Sequence, residues 1–233
     1  MADFSKAIPK ILKSEGGYTK NPDDGGNYQC QVGWAKRIEG KYVCPNGKLA
    51  HLTGTNRGIS ANTLRDWKKR IVSDAEMINL TEQEATNIYK NVYWDAIKGD
   101  AITDQAKAEI LFDAQVNQTG WVITMLSDTV GISKGSIKYP LSATVIAKIN
   151  SERSFVNKFA TQREKRYKET ALRPGQDNFL VGWLVRLSHF RQTITGKMTL
   201  PVKIVVSVLL VGILVGIIYT VTKNNSMNCI MPD

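Results

Sequence analysis

Apolar residues recur at three- and four-residue spacing through most of the chain, which predicts a mainly α protein. Phe4, Ala7, Ile8, Ile11 and Leu12 form the first such stripe, and Gly16-Gly17 stops it. Pro9 either kinks that helix or marks its first turn. The same spacing predicts helices over 61–72, 81–97, 104–118, 121–130, 142–150, 152–172 and 178–192. Leu64, Trp67 and Ile71 read as the buried stripe of the first of these. Ala85, Ile88, Tyr89 and Val92 play that part in the next, behind a Thr81–Glu84 capping box. Ile110, Leu111 and Ala114 face the core from the third. Pro174-Gly175 breaks the chain before Asp177 caps the last, where Phe179, Trp183, Leu187 and Phe190 form a packing stripe. Trp183 is read as core rather than as a sugar-stacking aromatic.

Two regions depart from this pattern. From Asn27 to Gly54 the helical period vanishes, and the stretch reads as a hairpin with Asn46-Gly47 as a turn. Cys30 and Cys44 lie within it, near His51, and free thiols, a disulfide and a metal site all stay open. Cys229, in the C-terminal tail, does not decide among them. At the other end, the nineteen residues Ile204–Thr222 carry no charge and span about 28 Å as a helix, close to a bilayer core. Lys203 and Lys223 bracket the span, and Tyr219 sits at an interfacial position. Residues 203–222 are therefore predicted to be one transmembrane helix, with Gly212 and Gly216 at the spacing that permits close helix pairing and self-association. Met1 to Tyr18 lacks the continuous apolar run of a signal peptide, so a C-terminal anchor is expected, with the basic flank favouring a cytoplasmic globular part.

Charge narrows the partners. The 31 basic and 21 acidic residues leave a net +10, a surface that attracts nucleic acid, anionic lipid or acidic wall polymers. No stretch reads as a nucleic-acid module. Lys68-Lys69-Arg70 and Arg163-Glu164-Lys165-Arg166 read as solvated helix faces. No metal or cofactor is expected.

The candidate chemistry sits near the N-terminus. Glu15 follows the first apolar stripe, where the negative end of a helix dipole disfavours a second anion and pushes a carboxyl pKa upward. Nine positions on, Asp24 lies in a polar, turn-rich loop where it stays ionised. A protonated acid beside an ionised carboxylate is what cleavage of a glycosidic bond requires.

Glu15-Gly16-Gly17-Tyr18 with Asp23-Asp24-Gly25-Gly26 resembles the opening of glycoside hydrolase family 108, the N-acetylmuramidases of bacteria and phages. Thr55-Asn56-Arg57-Gly58-Ile59-Ser60, Leu80-Thr81 through Ile88-Tyr89, Tyr93-Trp94, and Leu111-Phe112-Asp113 with Val116-Asn117 continue the likeness in order. Gly182-Trp183-Leu184-Val185-Arg186 is similar to the end of the peptidoglycan-binding-type module that follows the family's catalytic part. The resemblance implies a lysozyme-like α(+β) fold over residues 1–120, interrupted by an insertion at 27–54. A helical wall-binding part at 121–192, a linker at 193–202, the anchor at 203–222 and a tail at 223–233 complete the expected organisation.

It implies peptidoglycan as substrate and hydrolysis of the bond between N-acetylmuramic acid and N-acetylglucosamine, with transglycosylation left open. Glu15, Asp24 and Thr55 match the catalytic set, Thr55 only if the insertion loops out and returns the chain to the same place. Tyr18, Asp23, Asn56, Asp113 and Asn117 are the candidate substrate contacts. For Asp113 and Asn117 a mutual hydrogen bond competes with that role. A phage enzyme in a virion membrane is the preferred setting, a host-cell membrane the other. The alternative function is a lysozyme-fold wall-binding or structural protein that no longer cleaves.

Overall fold

The computed structural model describes residues 1–14, 16–173 and 176–195. Its two compact units are Met1–Arg153 and Ser154–Asp233.

In the first unit, α1 (Phe4–Ser14) buries Ala7, Ile8 and Ile11 while Pro9 faces solvent. The proline forgoes one ladder bond on the exposed side, and the helix runs through it. Three two-stranded ribbons follow. The first pairs β1 (Tyr28–Gln29) with β4 (His51–Leu52), the second β2 (Lys36–Ile38) with β3 (Lys41–Val43), and the third β5 (Thr55–Asn56) with β6 (Ile59–Ser60), all antiparallel. The expected Asn46-Gly47 turn forms, with the Gly47 N–H donating to Cys44 O at 2.9 Å. The hairpin proper turns earlier, at Glu39-Gly40, both at positive φ.

Then come α2 (Ala61–Lys68), α3 (Asp74–Ile78) and α4 (Glu82–Ile88), capped by Ser60, Ser73 and Thr81. The α3 helix is absent from the sequence prediction. Five residues are too few to display a period, yet Ser73 and Glu76 close a full capping box.

The predicted 81–97 helix is not one α-helix. After α4 the chain widens into a π-helical turn over Tyr89–Trp94, with the Asp95 N–H donating to Lys90 O, five residues back. The buried face therefore passes from Tyr89 to Trp94, five residues on, instead of continuing from Ile88 to Val92. Val92, expected in the core, is turned out and 39% exposed. In α2, Leu64 is buried as expected, but Trp67 is only half-buried and Ile71 is exposed beyond the helix end.

Trp94 anchors the widened turn. Its ring is fully buried against Phe4 and Phe112 at 5.6 and 5.3 Å, edge to face, and its Nε1–H donates to Asp100 at 2.7 Å. Gly99 lies flat on that ring, and a Cβ there would stand 2.2 Å from it. Gly99→Ala is expected to destabilise this unit by about 1–3 kcal/mol through overpacking, read from urea denaturation. An unchanged midpoint would mean that the ring is free to shift.

The central helix α5 (Gln105–Asn117) is buried along most of its length. Lys107 reaches the carboxyl end of α7 (Ala143–Ser151), donating to Ile149 O and Asn150 O at 2.9 and 2.8 Å, where a cation complements the helix dipole. Between them α6 (Thr119–Val130) packs on both.

In the second unit α8 (Phe155–Ala171) and α9 (Leu180–Thr195) pack together. Trp183 stacks on Tyr167 at 5.2 Å, a packing role as read from sequence, whereas Phe179 is 54% exposed. Arg163, expected on a solvated face, is fully buried, donates to Tyr167 Oη at 2.9 Å and lies over the Phe190 ring. Its neighbour Glu164 pairs with Lys168 and Arg191. The α9 helix runs to Thr195, into the stretch expected as linker. Among the described residues no helix is long and apolar enough to cross a membrane. The predicted span 203–222, with Gly212 and Gly216, the tail and Cys229 lie outside them.

Candidate active site

Asp24 caps a short 3₁₀ turn, Gly25–Asn27, and accepts a hydrogen bond from the Gly26 N–H at 2.8 Å. Its side chain stays at the surface. The turn ends in Asn27, which is fully buried and ties the region together. Its Nδ2–H donates to Asn21 O at 2.9 Å, and its carbonyl accepts from the Thr53 and Gly54 amides. Its Oδ1 accepts the Thr55 hydroxyl at 2.5 Å.

Thr55 is thus returned to the Asp24 loop. The insertion leaves through β1 and comes back through β4, with Tyr28 opposite Leu52 and Gln29 opposite His51. The insertion loops out and brings Thr55 back beside Asn27, at the end of the Asp24 turn. Gln29 locks the crossing from inside, donating to Thr53 Oγ1 and Val72 O and accepting from the Val72 N–H.

The segment after Glu15 joins the same place. Thr19 and Thr55 exchange both backbone bonds, at 2.8 and 2.9 Å, and Tyr18 donates its hydroxyl to Thr53 O at 3.0 Å. Gly54, at φ 103°, makes this approach feasible, because a Cβ there would stand 2.7 Å from both Thr19 O and the Tyr18 ring. Tyr18, Asp24 and Thr55 are therefore brought together around Asn27. Glu15 lies outside the described residues.

The remaining candidates are placed as follows. Asp23 is exposed, with Arg37 at 3.6 Å, and its carbonyl accepts the Tyr42 hydroxyl. Asn56 is buried, and its Nδ2 donates to Met77 O and Ile78 O at 2.8 and 3.0 Å, which fastens β5 to α3. Asp113 is buried in α5, and Asn117, exposed one turn later, donates to Asp113 O at 2.8 Å with Asp113 Oδ1 at 3.4 Å. The mutual contact weighed from their spacing is the one that forms.

Cys30 and Cys44 are joined in a disulfide, Cα atoms 5.6 Å apart, so the thiol and metal readings give way. His51 instead lies 3.1 Å from Asp74, whose other oxygen accepts from Lys20 at 2.6 Å. The Lys20 hydrogen bond, aided by His51, holds the Asp74 carboxyl below its ordinary range. Among the described residues no group of His, Cys, Asp and Glu could hold a metal ion.

Next to this cluster opens a cleft of about 830 Å³. Ser60, the strand partner of Thr55, lies on its wall with Thr63. Trp34 from the insertion, Trp67 from α2, and Asn91 and Tyr93 from the π turn also line it. Helical period alone placed Trp67 in the core and gave no reason to single out Trp34 or Asn27.

Residues 8–119 match the glycosyl hydrolase 108 family model. The match runs from within α1 to the end of α5 and takes in the Asp24 loop and the Thr55 hairpin. The fold is also similar to that of SagA from Brucella abortus, with a TM-score of 0.60 and 25% identity over 83% of this chain and 94% of that one. No curated protein matches the sequence.

Proposed function

We propose that the protein is a membrane-anchored muramidase that hydrolyses the bond between N-acetylmuramic acid and N-acetylglucosamine in peptidoglycan. The observation that carries this is the return of Thr55 through the β1–β4 crossing to the Asp24 loop, beside the segment that follows Glu15. That return supports the reading because it brings an aspartate loop and a threonine together across an insertion, inside the region matching a glycoside hydrolase family.

In this mechanism Glu15 protonates the leaving glycosidic oxygen. Asp24, exposed and hydrogen-bonded by a backbone amide, stabilises positive charge at the sugar or steers a water. Thr55, its hydroxyl hydrogen donated to Asn27, keeps its oxygen lone pairs for orienting that water. Tyr18 supports the floor of the site. Residues 203–222 hold the enzyme in a bilayer, in our reading a virion membrane, from which it reaches the wall of the cell being lysed or entered.

The test is mass spectrometry of purified peptidoglycan after incubation with the full-length protein. Muropeptides with reducing N-acetylmuramic acid ends are expected. Anhydro-sugars would replace hydrolysis with transglycosylation, and binding without any release would favour the wall-binding alternative.

A further inference from the structure

The insertion that separates Asp24 from Thr55 does more than loop out. It exposes Val32, Trp34, Ile38 and Leu49, large apolar side chains that gain nothing from contact with water. Of these, Trp34 lines the cleft beside the Thr55 hairpin. It is 52% exposed, and the residues that precede it in the chain are tied down. Arg65, buried in α2, donates to Cys30 O at 2.6 Å and to the neighbouring Gly33 O at 2.9 Å, with Asp66 balancing its charge. The disulfide joins Cys30 to Cys44, and Gly33, at φ 68°, sits so close to Pro45 that a Cβ would stand 2.9 Å from it. An exposed indole on a fixed backbone is preorganised for a ligand.

The lining describes that ligand. Trp34, Trp67 and Tyr93 bring aromatic rings from three separate elements. Ser60, Thr63 and Asn91 add hydroxyls and an amide. Asp66 and Lys69 line it as well, and a polyol with C–H faces suits this mixture, because its polarised hydrogens rest on the negative face of a ring while its hydroxyls pair with the polar and charged groups. Ser60, on the wall of this cleft, is paired with Thr55 across the β5–β6 ribbon.

We infer that Trp34, carried by the disulfide-closed insertion, forms with Trp67 and Tyr93 a glycan subsite that grips sugars of the strand beyond the bond being cleaved. This rests on the muramidase reading for its substrate. The geometry makes Trp34 a specificity-determining contact and assigns it no part in bond breaking.

The experiment uses the full-length protein and Trp34→Ala in two assays. In the first, the N-acetylglucosamine hexasaccharide is titrated while intrinsic tryptophan fluorescence and calorimetric heat are followed. In the second, the rate of peptidoglycan cleavage is measured against substrate concentration. Trp34→Ala is expected to weaken hexasaccharide binding and raise KM roughly five- to tenfold, with kcat within about twofold. Trp34→Phe should recover most of the loss, which a merely structural role would not produce. If the wild type cleaves peptidoglycan while Trp34→Ala leaves binding and KM unchanged, the subsite is overturned and the enzyme reading stands. If the wild type binds the hexasaccharide through Trp34 but cleaves nothing, the subsite stands and the enzyme reading falls. Absence of both binding and cleavage overturns both.

Discussion

Glu15→Gln is expected to lower the rate of peptidoglycan cleavage about a thousandfold, within the range that general acid catalysis contributes. The glutamine fills the same space but has no acidic proton to give the leaving oxygen. Purified walls should still sediment the variant, because Trp34 and the rest of the cleft are untouched. The loss therefore belongs in kcat. Asp24→Asn makes the informative companion. An asparagine oxygen can still accept the Gly26 N–H that fixes the turn, so the fold survives while the negative charge is lost. It should slow cleavage more than Asp23→Asn, whose carboxylate faces only Arg37 at 3.6 Å at the surface. Equal clearing of walls by Glu15→Gln and wild type would remove Glu15 from the chemistry. Asp23→Asn proving the slower of the two neighbours would remove Asp24.

The second large effect is on stability. The Cys30–Cys44 disulfide closes a loop with a sequence separation of 14, and replacing both cysteines by serine should cost about 3 kcal/mol by the loop-entropy argument. Urea denaturation of the full-length chain should show that loss in the double variant, and a similar loss in wild type under a thiol reductant. The reductant should leave the double variant where it is. Of the three cysteines, one should react with a thiol reagent in denaturant without reductant, since two are paired. Three reactive thiols would contradict the bridge, and equal sensitivity of both proteins to reductant would place its effect elsewhere.

Most helices were legible because their buried faces repeat at a fixed spacing and their caps are written in adjacent residues. Thr81, Asp104 and Ser142 each accept a backbone N–H from the first turn of the helix they cap. The failures have physical causes. Val92 fell on the expected stripe, but the stripe assumes 3.6 residues per turn, and a single widened turn moves the next buried residue from 92 to 94. Trp67 has the spacing of a core residue, and spacing does not distinguish a side chain facing the core from one facing a cleft. Arg163 looked solvated because its charge carried more weight than the aromatic rings that enclose it, which lie up to 27 positions away in sequence, at Phe190.

The site itself was only half readable. The glutamate, aspartate and threonine stand out by motif, while the residue that joins Asp24 to Thr55 does not. Asn27 follows two glycines in a polar loop and looks like any turn residue. Its importance comes from four partners, Asn21, Thr53, Gly54 and Thr55, most of them on the far side of the insertion. Asn56 and Asp113 are the converse case. Their motif positions suggest sugar contacts, and spacing alone does not reveal that Asn56 donates to two backbone carbonyls or that Asn117 donates to the backbone of the buried Asp113.

The crossing of β1 and β4 has a bearing on how such a protein diversifies. The chain departs at Gln29 and re-enters at His51, directly opposite, so the two stand as doorposts of the excursion, which Asn62 and Arg65 of α2 also hold by its Cys30 and Gly33 backbone. Loop-closure entropy rises only slowly with length, so the excursion can grow, shrink or be exchanged at little thermodynamic penalty while the two doorposts stay put. Variation in this stretch is therefore free to change what the cleft presents at Trp34, while the β1–β4 pair and the bonds around Asn27 keep the return of the chain to Thr55 in place.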